Sequence, residues 1–371
     1  MRSRRAPALL ALLAAVLPRA ADAGVVNPDI SVIGQPVLRY TDDPADAGGK
    51  RPQLDAGETE FDFEAYLNPA ARGTFVVALA EGSAELEEGY FSLLRGLPLG
   101  LALKGGKYRV GFGKLNPVHP HAYPFAERFH LLAAYLPGDE SLNETGVSLS
   151  GRLPAPGEVS VTLTGDWLQG DTFRIERESS GDPTDPIETG AGDRQALTRP
   201  AFVGRLSVFA PLGERSGLEL GASAARGTNN VAARAHTRLY GADVKAKLWR
   251  SAQSCLALQG ELVRLSRDEA RWDPTAGYRR GDRTPHGGCL FADCQCDLRR
   301  DVGVSFERYQ EPVSGQPWSQ AFGVFGGYSI LEETTVFRLG WERFRPAGDA
   351  AVNTVTFRVL YSMGPHKAHH F

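Results

Sequence analysis

Segments of about ten residues with alternating apolar and polar side chains recur along most of this 371-residue chain. In residues 159–167, VSVTLTGDW, the apolar residues alternate with serine, threonine and aspartate. Because successive side chains of a strand point to opposite faces, such a segment is apolar on one face and polar on the other. The pattern predicts an all-β fold, a transmembrane antiparallel β-barrel with lipid outside, water inside and no separate plug domain.

The first residues have the features of an export signal. A positive start, Met1–Arg5, precedes an apolar run from Ala6 to Leu17 and a small-x-small cleavage site at residues 21–23. We therefore predict a signal peptide over residues 1–23. An N-terminal membrane anchor is the alternative, which the short apolar run disfavours. Residues 24–56 are expected to form an N-terminal segment and linker, and residues 57–371 the barrel.

Fourteen strand candidates, an even number, follow between Phe61 and Tyr361. The long connections 114–142, 170–199 and 267–297 all follow even-numbered candidates. A periplasmic C-terminus would then place them in the periplasm, although long loops are normally extracellular. The candidates therefore omit a real strand or include a false one, and the error is expected in segment 30–34 or 267–297. We expect about 12–16 strands in total.

Composition and motifs exclude several functions. The formal net charge is −3, and the predicted mature chain is more acidic because the signal removes four arginines and one aspartate. An acidic chain argues against a nucleic-acid partner. No Gly-x-Ser-x-Gly, Walker or His-Glu-x-x-His motif indicates an enzyme, so we expect none. A soluble β-sandwich also has alternating strands, but it seldom has so many of equal length with charges opposite the apolar rows.

An unusual stretch over residues 111–125, GFGKLNPVHPHAYPF, contains His119 and His121. The His-x-His spacing is common among metal ligands, and imidazole suits zinc, copper or nickel. The prolines would hold the pair in a fixed turn, and His130 could add a third ligand. The alternative is a structured loop in which these histidines bond to backbone groups. Zinc is thus a candidate cofactor, and the sequence requires none.

The C-terminal tail, GPHKAHHF, offers two interpretations. His366, His369 and His370 could bind a metal, because short histidine-rich tracts often do. Alternatively, Phe371 at the end of the chain is part of an assembly signal, since many outer-membrane barrels end in phenylalanine.

Four cysteines, Cys255, Cys289, Cys294 and Cys296, are concentrated near residues 287–296. In an oxidising compartment, a disulfide clip within this predicted loop is their expected use. A metal site with His286 is the alternative. Cys255 lies in a predicted strand, where it would pair with the cluster or stay free. Four cysteines allow three pairings, and the sequence does not choose among them.

Charged side chains of both signs fall on the predicted lumen face. They are Glu60, Asp62, Glu64, Arg152, Asp166, Arg205, Glu219, Asp243, Lys245, Lys247, Glu261, Glu307, Arg338, Glu342 and Arg358. Opposed charges along a pore create a transverse field that can tune ion selectivity. The alternative is an interior salt-bridge network that closes the pore.

Several motifs resemble a family of bacterial outer-membrane barrel proteins of uncertain function, whose members are labelled porin-like or zinc-regulated receptors. The resemblance rests on EEGY at 87–90, on Leu97-Pro98 with the glycines of 105–113, and on Asn116 with the two histidines. It covers residues 27–155 and the tail. It implies a barrel in the outer membrane of Gram-negative bacteria, linked to zinc or another metal. The receptor label fits poorly, because residues 24–56 are too few for the plug of a TonB-dependent transporter.

Three functional hypotheses follow. The first is a porin-like channel for small solutes or ions. The second is a closed barrel that acts as a surface or metal-binding protein through residues 267–297. The third is a soluble exported β protein. For the first two, the expected partners are outer-membrane lipid and the barrel assembly machinery, and assembly of identical copies is left open.

Overall fold

The computed structural model describes residues 28–80, 82–138, 141–174, 199–231, 233–273, 275, 277–331 and 334–364. These residues form one antiparallel sheet and one short α-helix, α1. The strands are β1 Asp29–Gly34, β2 Val37–Thr41, β3 Gln53–Asp55, β4 Thr59–Asn68, β5 Ala71–Ala80, β6 Ser83–Leu93, β7 Ala102–Arg109, β8 Asn143–Leu153, β9 Ser160–Leu168, β10 Ala201–Leu212, β11 Ser216–Asn230, β12 Ala235–Trp249, β13 Cys255–Asp273, β14 Gly277–Arg283, β15 His286–Gln295, β16 Arg300–Gln310, β17 Trp318–Leu331, β18 Thr335–Arg345 and β19 Val352–Met363; α1 is His130–Tyr135.

The wall of the barrel contains 16 strands, because three pairs of segments each form one interrupted strand. β1 and β2 both pair with β19. β3 pairs with β2 as β4 does with β1, and β14 and β15 both pair with β13. The expected range of 12–16 strands is confirmed. Within the described ranges, no helix is long and apolar enough to cross a membrane.

Closure of the sheet depends on β1, which pairs antiparallel with β4 on one side and with β19 on the other. Ile33, for example, lies opposite Glu60 of β4 and Ser362 of β19. The chain therefore joins its first and last strands, and every wall strand has two neighbours. In lipid a closed barrel satisfies the backbone groups that an open sheet edge would leave unpaired.

Segments 30–34 and 267–297, where the sequence analysis placed the error in strand assignment, both contain wall strands, which resolves the conflict over loop positions. Residues 29–41 form the first wall strand instead of a linker, and residues 277–295 form the twelfth instead of a loop. The barrel thus begins at Asp29, not at residue 57. The connections between β7 and β8 and between β9 and β10 now follow odd-numbered wall strands, so their ends meet the wall at the rim opposite Asp29 and Met363. That rim is the extracellular one, because long loops are extracellular in such barrels.

The outer surface of the wall is apolar, as the alternation predicts. In β9, Leu163 and Trp167 are 49% and 52% exposed, whereas Asp166 between them is only 4% exposed. Trp167 and Tyr240 lie toward the extracellular rim, and both are exposed on the outer face. These positions fit the aromatic girdle at that membrane interface.

The interior differs from the expected water-filled lumen. Residues 110–138 and 141–142, between β7 and β8, fold inward and build a hydrophobic core with the inner faces of β10 to β13 and β15 to β17. Phe112, Leu131 and Leu132 of this segment are fully buried. The barrel therefore encloses a packed plug made of its own connection.

The lipid-facing side of the wall yields a stability prediction. Leu220 is the fifth residue of β11, about halfway along the roughly 9–11 residues of a strand that span a bilayer. It lies opposite Val208 and Val244 and is 49% exposed. Leu220→Arg should lower the free energy of unfolding in lipid vesicles by about 2–4 kcal/mol, because an arginine near the bilayer midplane is poorly solvated.

The matched control is Leu212→Arg, at the end of β10 beside the short turn before β11. At this interface the same change should cost about 0–1 kcal/mol. Urea unfolding in vesicles, followed by tryptophan fluorescence, measures both values. Equal losses at the two positions would contradict the assignment of the lipid-facing belt.

Candidate functional site

The lumen segment, residues 110–138 with 141–142, is the part of the chain that can control passage through the barrel. Its two ends are joined by Asn116, whose side-chain amide donates to the carbonyls of Val110 and Leu142 at 2.8 and 3.0 Å. The amide oxygen of Asn116 accepts from the Leu142 N–H at 3.0 Å. One buried asparagine thus satisfies the backbone of both ends and closes the segment into a compact loop.

Aromatic packing holds the middle of the lumen segment against one side of the wall. Phe125 stacks on Tyr123 with ring centroids 5.1 Å apart and meets Phe291 of β15 and Phe325 of β17 edge-on. Aromatic pairs of this geometry add to the free energy of apolar burial. Prolines 117, 120 and 124 limit the conformations of the stretch that delivers these rings.

Buried carboxylates of the wall bind the backbone of the lumen segment. Glu261 of β13 accepts from the N–H groups of Lys114 and Leu115, both at 2.6 Å. Glu307 of β16 accepts from the first N–H groups of α1, at 3.0 and 2.9 Å. Gly113 lies so close to Glu261 that an added Cβ would collide with the carboxylate, and its φ of 65° also favours glycine.

Arginines on another part of the wall bind carbonyl groups of the same segment. Arg338 of β18 donates to Pro124 at 2.8 Å, and Arg358 of β19 donates to Ala126 at 2.5 Å. Together with Glu261 and Glu307, these contacts attach the segment to strands around much of the lumen. The segment therefore forms a constriction across the barrel.

Most of the predicted lumen charges form a network. Arg205 makes a two-pronged contact with Asp243 at 2.5 and 2.8 Å, and Lys114 of the lumen segment pairs with Glu219. Asp166 accepts from the hydroxyl of Tyr108, and Glu342 lies 3.8 Å from His130. Lys245 also has interaction partners, whereas Arg152 is exposed at the periplasmic end of β8. Most of these lumen charges are therefore paired with one another or with the lumen segment.

A cluster of histidines and glutamates, here called the His–Glu cluster, joins the lumen segment to β4 and β6. His121 donates to Glu60 at 2.8 Å. His119 Nδ1 lies 3.2 Å from Glu60 and 3.1 Å from Glu87, while its Nε2 lies 3.2 Å from Glu88. The predicted histidine pair is thus bonded to carboxylates of the wall, not to backbone groups.

Glu87 and Glu88 were not identified as site residues from the sequence, because adjacent residues of a regular strand face opposite ways. In the structure Val76 pairs with Glu88 and Val77 with Leu86, so Glu87 is an extra residue in β6. Such a β-bulge redirects a side chain. Both carboxylates therefore reach His119. The adjacent glutamates in an otherwise alternating strand were the available signal.

The His–Glu cluster changes the acidity of His119. Burial alone would lower the pKa of the imidazole, but the neighbouring carboxylates of Glu60, Glu87 and Glu88 raise it well above its usual value. The carboxylates of Glu60 and Glu87 both lie next to Nδ1 of His119, so two negative charges stabilise the protonated form of one imidazole.

The remaining predicted ligands are distributed differently. His130 does not join His119 and His121; it contacts Glu307, and its ring stacks on Phe344. His366, His369 and Phe371 lie outside the described residues. Within the described ranges, the group with metal-ligand spacing is Glu60, His119 and His121.

The cysteines do not form the predicted disulfide clip. All four are free thiols. Residues 286–295 are the strand β15 instead of a loop, so Cys289 and Cys294 point to opposite faces of the wall. Cys289 is buried inside the barrel, Cys255 contacts Gln295, and Cys296 is exposed in the following turn.

A cavity of about 380 Å³ opens between the lumen segment and the wall. Its lining includes His121 and Ala122 of the segment and Asp301, Ser329 and Arg338 of the wall. It also includes residues 297–300 of the short turn after β15, so it lies at the periplasmic end. We call this cavity the vestibule; it extends from the periplasmic mouth of the barrel to His121 of the His–Glu cluster.

Comparison with known proteins supports the fold. No family model matches the chain. An uncharacterized protein of Aquifex aeolicus (strain VF5) is 26% identical over 321 residues, covering 80% of this chain and 65% of that protein. The chain therefore spans about two thirds of the length of this curated relative.

Solved structures of outer-membrane proteins share the architecture. A loop-deletion mutant of OmpT from Vibrio cholerae has a TM-score of 0.57 at 11% identity, covering 92% of this chain and all of that one. The anion-selective porin of Comamonas acidovorans has a TM-score of 0.57 at 11% identity, covering 91% of this chain and all of that one. The channel DcaP of Acinetobacter baumannii has a TM-score of 0.56 at 10% identity, covering 93% of this chain and all of that one. The chain therefore has the fold of an outer-membrane porin, whereas none of these relatives is described as zinc-regulated.

The binding of the lumen segment by Glu261 yields a prediction. Glu261→Ala leaves the N–H groups of Lys114 and Leu115 buried without an acceptor, at a cost of about 1–3 kcal/mol for each group. Amide hydrogen exchange should accelerate in residues 112–118. Glu261→Gln retains an acceptor oxygen and should have a smaller effect. Equal exchange in the wild type and the alanine variant would contradict this role.

The environment of His130 predicts a dependence on pH. Burial opposes protonation, but the hydrogen bond to Glu307 and the nearby Glu342 raise the pKa of His130. Protonation therefore stabilises docked α1 fully below the usual histidine pKa, and this contribution is lost as the pH rises through the raised value.

Exchange in α1, corrected for the intrinsic pH dependence, should therefore increase from neutral to alkaline pH. His130→Gln removes the titrating group and should abolish this change. Residues 112–118, held by Glu261, provide an internal reference. A wild-type pH response retained in His130→Gln would contradict the assignment.

Proposed function

We propose that the protein is an outer-membrane channel for small solutes or ions, with the lumen segment as its constriction. The observation that carries the proposal is a closed 16-strand barrel crossed by an inward-folded connection that wall side chains hold in place. An export signal over residues 1–23 would bring the chain to this membrane. The chain's partners are then lipid and the permeating solute.

The packing of the lumen segment predicts a narrow channel. Phe125 and its neighbours fill the side of the lumen next to β15 and β17. The remaining polar surface lies near the vestibule, where Arg338 contacts both the segment and Asp301 at 3.4 Å. Solutes that pass this point must be small and hydrated. The positive charge of Arg338 interacts strongly with permeating ions, because charges in a narrow, low-dielectric passage are poorly screened.

Planar-bilayer recording of the refolded full chain tests the proposal. We expect discrete conductance steps that are small for a 16-strand barrel, because the lumen segment obstructs the pore. A correctly folded, heat-modifiable protein that never conducts, at any salt concentration, would refute the channel. That result would favour the closed, surface-exposed barrel instead.

Arg338→Glu tests the route of permeation. Reversing the charge at the vestibule should make the channel more cation-selective, measured as a shift of the reversal potential in a salt gradient. The matched control is Arg343→Glu on the same strand, because Arg343 is exposed on the outer face. It should leave the reversal potential unchanged. Equal shifts in the two variants would place the ion path elsewhere.

A further inference from the structure

The His–Glu cluster contains two buried polar atoms that satisfy no hydrogen bond. They are Nδ1 of His119 and Oε2 of Glu87, which lie 3.1 Å apart. The Glu87 side chain is only 9% exposed, so water solvates it poorly. An unsatisfied carboxylate oxygen in a buried position is costly, and a bound cation would remove that cost.

The spacing of the groups matches a metal-coordination shell. One ligand atom each from Glu60, His119 and His121 lies within 4.8 Å of the others. His119 Nδ1 is 3.2 Å from Glu60 and 3.1 Å from Glu87. Ligands at about 2.0–2.1 Å from a tetrahedral zinc ion are separated by about 3.3 Å. Small side-chain movements would therefore complete a shell of two imidazoles and two carboxylates.

The outer contacts of His119 also fit a metal ligand. Its second nitrogen, Nε2, faces Glu88 at 3.2 Å, and the other oxygen of Glu88 accepts from the backbone N–H of Arg109 at 2.8 Å. Histidines that bind metals characteristically donate their second N–H to a carboxylate, which fixes the ring and the tautomer. Glu88 thus orients His119 with Nδ1 toward Glu60 and Glu87.

The charges of the site favour a divalent ion. Glu60, Glu87 and Glu88 supply three negative charges, and Arg109 offsets one by its contact with Glu87 at 2.9 Å. A metal ion displaces protons from the imidazoles it binds, which leaves a net charge of about −2 that a divalent cation balances. Two imidazole ligands favour zinc or a similar transition metal over calcium or magnesium, which prefer oxygen alone.

We propose that Glu60, Glu87, His119 and His121 bind one divalent transition-metal ion, with zinc as the probe, and that the ion links the lumen segment to β4 and β6. In the closed wall only β1 separates β4 from β19, so this contact extends the attachment that Arg338 and Arg358 make from β18 and β19. The ion would thus complete the attachment of the constriction. The proposal concerns binding, so it can be tested whether or not the barrel conducts.

Isothermal titration of the folded full chain with zinc tests the site. The background is His366→Ala/His369→Ala/His370→Ala, which removes the tail histidines. We expect this variant to bind one zinc ion per chain, and excess calcium not to displace it. Adding His119→Gln/His121→Gln should weaken binding by about tenfold or more. His130→Gln, a histidine of the same segment outside the cluster, is the matched control and should bind normally.

Heat-modifiable migration shows that each variant is folded. Should the double variant fail to fold, Glu60→Gln offers the same test, because its amide oxygen still accepts from His121 while the anionic ligand is lost. Zinc binding that disappears with the tail histidines alone would overturn the proposal. So would binding unchanged in His119→Gln/His121→Gln, or no binding by the intact chain.

Discussion

The structure depends on one constraint, the pairing of the first strand with the last. β1 contacts β4 and β19 at once, and without it two long strand edges would face lipid with unpaired backbone groups. Closure also fixes the circumference, because the register around 16 strands leaves no freedom to widen the wall. The lumen is therefore a space of set size whose content must be supplied by the chain itself.

The lumen segment can fill this space because its buried backbone N–H groups and the buried carboxylates of the wall form hydrogen bonds with each other. Its backbone donors at residues 114–115 and at the start of α1 need acceptors away from bulk water, and Glu261 and Glu307 need donors because they are buried carboxylates. Each group satisfies the other, so neither is stable in the lumen alone. The same reasoning explains why the lumen charges form a network: Arg205 and Asp243 neutralise each other in place.

The attachments of the segment to β18 and β19 and to β4 and β6 differ in chemical character. On the side of β18 and β19, two arginines donate to carbonyl groups of the segment. On the side of β4 and β6, His119 and three glutamates leave one carboxylate oxygen unsatisfied. A porin-like barrel with a tightly held constriction therefore contains one junction at which an ion could alter the attachment. Permeation and ion binding would meet in the same short segment.

The sequence by itself determined the fold class and the facing of most side chains. In β9, the alternation placed Leu163 and Trp167 outside and Asp166 inside, because a strand has a strict period of two. It failed for β1–β2, which Pro36 interrupts, and for β14–β15, because β14 pairs with the end of β13 beyond its pairing with β12.

The site could be predicted only in part. The His-x-His spacing identified His119 and His121, but their partners come from strands far away in sequence, and Glu87 reaches them through a bulge that breaks the period. Only the tertiary structure decided that the connection folds inward, that His130 binds elsewhere and that Cys289 and Cys294 face opposite ways. The period of two along a strand determines whether a side chain faces the lumen or the lipid, whereas closure of the barrel determines which lumen-facing side chains come into contact.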